Sequence, residues 1–351
     1  MKRFVALVGT LCAIVTGVMR AQGGSPAPPP KPDTPDVLTH VAAAEKAAGR
    51  EWQTEAAFFC SPTPNRANRP DDPLLEPTRL FDNLYVIGRA GTAVFAITTG
   101  DGIVLIDAGY ADQLDSVLLP GLKALGLDES KVKYILLGHG HADHYGGASY
   151  FQQKYATKVA LSAADWELLE NPPAPRGGGP AAGGAPAGGA PAGDAQARGP
   201  APAPVPVPKR DIVLTDGQVF TVGDQRLTVV AIPGHTPGSI GFVFPVKDGR
   251  ENHVAALFGG TILIPGRIAD ASLQEYVRSI AHFADVAKRM NADVEIQNHP
   301  LYDNIAEKVA GVRAGKKGAA NPFIVGRDAY QRFLTVQSEC MKAQIARRAI
   351  P

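Results

Sequence analysis

The stretch VKYILLGHGHADHYGG, residues 132–147, decides how this chain reads. Its first six residues are an almost wholly apolar run that predicts a strand, and the strand leads directly into histidine. Three histidines and an aspartate then fall within positions 139–144, in a chain with 8 histidines in all. His139 and His141 are two apart at a strand end, a spacing that lets both side chains point the same way. Asp143 and His144 follow on the turn into a helix expected over 143–155. Imidazole nitrogen and carboxylate oxygen are both good zinc ligands. Gly138, Gly140 and the Gly146-Gly147 pair let the backbone bend tightly around an ion. A polar loop with scattered histidines would not concentrate ligand-type residues this way, so the segment reads as a metal site.

Strands and helices extend on both sides. LYVIG (84–88), TAVFAITT (92–99) and GIVLIDAG (102–109) predict three strands, rich in β-branched residues and separated by glycine. Residues 111–126 predict a helix broken near Pro120. KVALS (158–162) is a strand, and Ser162 starts a helix. After a gap, DIVLT (211–215), QVFTV (218–222), RLTVVAI (226–232), SIGFVFPV (239–246) and HVAALF (253–258) predict strands. A helix follows over about 272–290, then the strand DVEIQN (293–298), then two closing helices, the last near 327–348. A strand-and-helix half thus occurs twice, and the fold class is α/β. Two sheets packed face to face, with helices on the outer faces, satisfy that order.

The gap, residues 172–208, holds little except Pro, Gly and Ala. It cannot bury enough surface to offset its ordering entropy and is expected to be a disordered insertion. At the N-terminus, Lys2 and Arg3 precede the apolar run Phe4–Val18, which predicts a signal peptide over residues 1–21. The run is short for a membrane span, which needs roughly 20 apolar residues. Residues 22–77 are expected to be a flexible leader and N-terminal extension with a short helix over 37–49 and then a loop. Residues 78–351 form the main domain. The expected location is periplasmic or secreted, with no membrane contact after cleavage. Removing the signal leaves Cys60 and Cys340, and a bridge between them is open on sequence alone. A formal net charge of +1 gives no basic stripe for nucleic acid.

HGHADH resembles the His-x-His-x-Asp-His signature of the metallo-β-lactamase fold superfamily, an αββα sandwich. GIVLIDAG resembles that family's strand ending in an aspartate, here Asp107. PGHTPGS (233–239) and NHP (298–300) resemble its later histidine motifs, giving His235 and His299. The resemblance covers about residues 78–300 outside the insertion. It implies two zinc ions per chain: one held by His139, His141 and His235, the other by Asp143, His144 and His299. Asp107 would sit behind them as an acceptor that fixes the ligands. His40, His253 and His282 have no counterpart in the pattern and read as structural or surface residues.

Many hydrolases of this superfamily have an Asp bridging both metals in a Gly-Asp-Thr context. Here the segment is FGGTI (258–262), with Gly260 at that place. That departure counts against the glyoxalase II, ribonuclease Z and lactonase-like branches. The absence of a nearby cysteine excludes lactamases with a Cys ligand. What remains is similar to the lactamase subclass with His-His-His and Asp-His-His sites. The implied chemistry is hydrolysis of a carbonyl compound by water activated between two ions, with Asp143 orienting it. The expected substrate is a small molecule, a β-lactam first, another ester, thioester or lactone second. Thr261, Arg267 and Tyr145 are the candidate substrate contacts. A non-catalytic zinc-binding role is the third reading, and the filled set of ligand positions argues against it.

Overall fold

The computed structural model describes residues 32–62, 72–172, 204–261, 263, 268–315 and 320–349. The signal peptide expected over 1–21, the start of the leader expected from residue 22, most of the insertion, and Arg267 lie outside these. The described residues from Asp33 onward group as one compact unit.

Twelve strands among the described residues form two mixed sheets. The first sheet holds β1 (Thr78–Phe81), β2 (Leu84–Arg89), β3 (Thr92–Thr99), β4 (Gly102–Ile106), β5 (Val132–Leu136), β6 (Lys158–Ser162) and β7 (Ile212–Leu214), in chain order. Strands β1 to β4 pair antiparallel, and β4 to β7 pair parallel. The second sheet runs in the order β12 (Val294–Ile296), β11 (Glu251–Leu257), β10 (Ile240–Asp248), β9 (Gln225–Ala231), β8 (Val219–Val222). Only β11 and β12 are parallel there.

Period-two alternation assigns the faces. Phe95, Ile97, Val104, Ile106 and Leu136 face the second sheet and join Leu227, Val229, Phe242 and Phe244 in one apolar cluster. Val94, Ala96, Leu105, Ile135 and Leu137 point the other way, into a second cluster. That cluster lies beneath α3 (Leu119–Ala124), α4 (Ala142–Tyr145), α5 (Ala148–Tyr155) and α6 (Ala163–Glu170). Helices α7 (Asp270–Arg289) and α9 (Arg327–Arg348) extend the first cluster, and α8 (Ile305–Ala314) lies between them in sequence. The expected sandwich of two sheets flanked by helices is therefore the observed architecture.

Local departures have local causes. The single helix expected over 143–155 is two, divided at Gly146-Gly147. A β-carbon on Gly146 would lie 2.2 Å from the Ala111 amide nitrogen, so this turn is pressed against another backbone. Residues 111–118 wind as short 3₁₀ and π turns before α3, where Pro120 sits in the first helical turn. The loop expected after the first helix, α1 (Pro35–Ala48), contains a further helix, α2 (Gln53–Phe59). Its Phe58 and Phe59 are buried, and Phe58 stacks on Tyr302 at 3.7 Å. Both helices pack against α9, and the question left open at the cysteines is answered: Cys60 and Cys340 are bridged across a sequence separation of 280. Closing so long a loop removes on the order of 5 kcal/mol of unfolded-chain entropy.

Candidate metal centre

The strand directions gather the ligand loops at one end of the sandwich. Asp107 follows the last residue of β4, and residues 138–141 follow parallel β5. His235 follows β9, Gly260 follows β11 and His299 follows β12, three strands that run the same way. Cross-sheet bonds fix the seam: Ile240 N donates to the Gly138 carbonyl at 2.8 Å, and Ala93 N to the Asn298 carbonyl at 3.0 Å.

Two triads of donors result. His235 Nε2 lies 3.0 Å from His139 Nε2 and 3.0 Å from His141 Nδ1. Opposite them, His144 Nε2 lies 3.0 Å from His299 Nε2, and Asp143 Oδ2 lies 3.5 Å from the first and 3.7 Å from the second. The triads abut, with the ligand atoms of His139, His144 and His299 all within 4.8 Å of one another. The residues singled out as ligands in the sequence therefore converge, from loops up to 160 positions apart.

Hydrogen bonding behind the rings shows what this arrangement requires. His144 Nδ1 donates to Asp107 Oδ2 at 2.7 Å, and His299 Nδ1 donates to the Gly91 carbonyl at 2.7 Å. With both rings neutral, their Nε2 lone pairs would face each other. The contact therefore calls for positive charge between them, which a proton on His144 Nε2 or a metal ion supplies. Nitrogen-rich donors with one carboxylate suit a borderline divalent cation such as zinc. A tetrahedral ion with bonds of 2.0–2.1 Å would space its ligands about 3.4 Å apart, close to the separations present.

Asp107 is held to this task. Its Oδ1 accepts the Gly138 amide at 2.8 Å, it is fully buried, and its φ of 64° is left-handed, rare for a non-glycine residue. Burial works against the His144 imidazolium, but Asp143 and Asp107 outweigh it and lift the pKa to about 10. Burial, and then His144, bring His299 down to about 4. Burial also acts to raise the Asp143 carboxyl, and the neighbouring imidazoles reverse this, holding it below the usual carboxylate range. Within this triad His144 thus attracts positive charge while His299 resists protonation, which leaves the His299 nitrogen free to coordinate.

Thr261 is fully buried, and its hydroxyl has no hydrogen-bond partner among the described residues. Tyr145 is buried in the cluster beneath α4 to α6. The remaining histidines each meet a carboxylate: His40 with Glu339 at 2.7 Å, His253 with Asp293 at 2.7 Å, His282 with Asp216 at 3.1 Å. Sequence reasoning missed Asp165 and Asn298. Asp165 is fully buried and bonded to both histidine loops, and Asn298 Oδ1 accepts the Gly260 amide at 3.2 Å. The one signal for Asp165 was its place in the first turn after the Ser162 cap, which reads as ordinary helix capping.

Comparison with known proteins agrees with the geometry. Residues 87–249 match the metallo-beta-lactamase superfamily. Hydroxyacylglutathione hydrolase GloC of Haemophilus influenzae is 25% identical over 197 residues, covering 55% of this chain and 76% of that protein. A hydroxyacylglutathione hydrolase of Methylococcus capsulatus is 26% identical over 252 residues, covering 66% and 80%. Among solved structures, BJP-1, a subclass B3 metallo-beta-lactamase of Bradyrhizobium japonicum, superposes with a TM-score of 0.54 at 26% identity, over 74% of this chain and 90% of that one. With its two sheets, its donor triads and these likenesses, the chain carries a metallo-β-lactamase superfamily domain and is a hydrolase of that fold.

Proposed function

We propose that this protein is an exported hydrolase that holds two zinc ions and opens β-lactam rings. The observation that carries the choice lies at Gly260. Its φ is 77°, and a β-carbon there would lie 2.9 Å from Cβ and Cγ of His235. A bridging carboxylate at this position would displace that ring. The centre is therefore built from His139, His141 and His235 on one side and Asp143, His144 and His299 on the other, as in the branch without the shared Asp.

Bound zinc supplies Lewis acidity and a water of lowered pKa at neutral pH. His144 and His299 present Nε2 because Asp107 and the Gly91 carbonyl hold their Nδ1 protons. Asp143, kept ionised, accepts a hydrogen bond from the attacking water and orients it toward the carbonyl carbon. The C–N bond of the ring then breaks, and the nitrogen takes up a proton from solvent. Arg267 is the cationic candidate for the substrate carboxylate. Export is supported by the N-terminal pattern and by the Cys60–Cys340 bridge, which belongs in an oxidising compartment.

A second reading is supported by the hydroxyacylglutathione hydrolase relatives: a thioester of that kind as the main substrate. A kinetic panel on zinc-loaded protein separates the two. The proposal expects the highest kcat/KM on a β-lactam. Turnover of hydroxyacylglutathione thioesters with none of any lactam would replace it with the second reading.

A further inference from the structure

Asp165 belongs to no ligand motif, yet it is fully buried and spends both carboxylate oxygens on the histidine loops. Its Oδ2 accepts the Gly140 amide at 2.7 Å and the Thr236 hydroxyl at 2.6 Å. Its Oδ1 accepts the Gly238 amide at 2.8 Å. Gly140 lies between His139 and His141, and Thr236 follows His235. Ser239 Oγ completes the knot, accepting the Thr236 amide at 3.0 Å and lying 2.7 Å from its hydroxyl. The loops are packed to match. A β-carbon on Gly238 would lie 2.0 Å from Ser162 Oγ and 2.6 Å from the Asp165 amide nitrogen.

One carboxylate thus grips two loops whose histidines stand 3.0 Å apart although 94 residues separate them. Asp165 makes no such bond to Asp143, His144 or His299. We infer that Asp165 is the positioning residue of the three-histidine half: it sets the spacing of the 139–141 and 235 loops, and hence the affinity of that half for its ion. This rests on the metal-binding reading above, and does not depend on the substrate. Charge-assisted bonds to ionised acceptors are the strong ones. Partners behind metal ligands commonly hold 10- to 100-fold in affinity.

The test is zinc binding by competition with a chromophoric chelator, with cobalt(II) spectra and unfolding of the metal-free proteins alongside. Asp165→Asn replaces one acceptor oxygen with a donor, so either Gly140 or Gly238 loses its partner. We expect one of two zinc affinities to fall about 10- to 100-fold, with the other unchanged and the cobalt spectrum altered. Thr236→Val removes one of the three donors and is expected to weaken the same ion by a smaller factor, carrying the test if the Asn variant does not fold. Parent affinities at both sites in the variants overturn the inference. So does an equal loss at both sites that tracks lowered stability of the metal-free protein, since that marks a general structural role. A parent protein that binds no zinc sinks the metal reading itself, a result distinct from either.

Discussion

Two buried polar clusters flank β12, and they solve opposite problems. Behind the strand, Glu55, Glu295 and Asp303 are almost wholly buried, and Lys308 stands among them. Its ammonium lies 2.9 Å from Glu295 Oε2 and 3.3 Å from Asp303 Oδ2, and 5.3 Å above the Trp52 ring. Gln297 donates to Glu55 at 2.8 Å. This cluster contains its own cation. At the end of the same strand, His299 enters a cluster whose nitrogens face one another with no ammonium or guanidinium among the named groups. Both clusters hold buried carboxylates, Asp107 in one and Glu55, Glu295 and Asp303 in the other. The source of the positive charge differs, and that difference separates a structural strut from a ligand site.

The comparison can be broken from either side. Removing a ligand carboxylate with Asp143→Ala should release the second ion and lower turnover by about three orders of magnitude, the several kcal/mol an ion contributes to a transition state; zinc content and kcat measured together check this, and unchanged turnover refutes the role given to Asp143. Removing the internal cation with Lys308→Met should leave carboxylates unpaired and cost about 3–5 kcal/mol of stability in urea unfolding. Zinc stoichiometry of the folded fraction should stay at the parent value.

Two smaller effects sharpen the contrast. Gly260→Asp adds a potential ligand but must push into His235, so zinc affinity should fall, by about tenfold or more; tighter binding would mean that the ring gives way. Glu55→Gln probes the strut. Burial first, then the charges of Glu295 and Asp303, raise the Glu55 carboxyl well above its ordinary value. Below about pH 4 both folded and unfolded chains hold that proton, and Glu and Gln should be equally stable. As pH rises the unfolded chain releases the proton while the folded chain resists, so the parent loses stability relative to the variant. The Gln variant should gain on the order of 1 kcal/mol by pH 8, and unfolding curves at the two pH values should show the gap opening.

How far the sequence revealed these clusters follows from distance along the chain. His139, His141, Asp143 and His144 announce themselves because their chemistry is concentrated in one turn. Strands β2 to β4 and β9 to β11 were legible as β-branched runs. The grip of Asp165 on Gly140 and Gly238, and the contact of Glu55 with Gln297 across 242 positions, leave no local trace. Helix α2 was hidden for a related reason: its buried face is made by Tyr302 and α9, not by its own periodicity. Gly260 was legible as a missing donor, but the cause, the His235 side chain standing where a β-carbon would go, needed the third dimension.

The bond between Cys60 and Cys340 gives the chain a topology as well as a constraint. Every donor of the centre lies inside the ring it closes, so a protease cut anywhere between the two cysteines leaves both fragments joined until a reductant is added. The ring also cannot shut before residue 340 has been synthesised. By then all six donors have been made, so covalent closure follows the last of them.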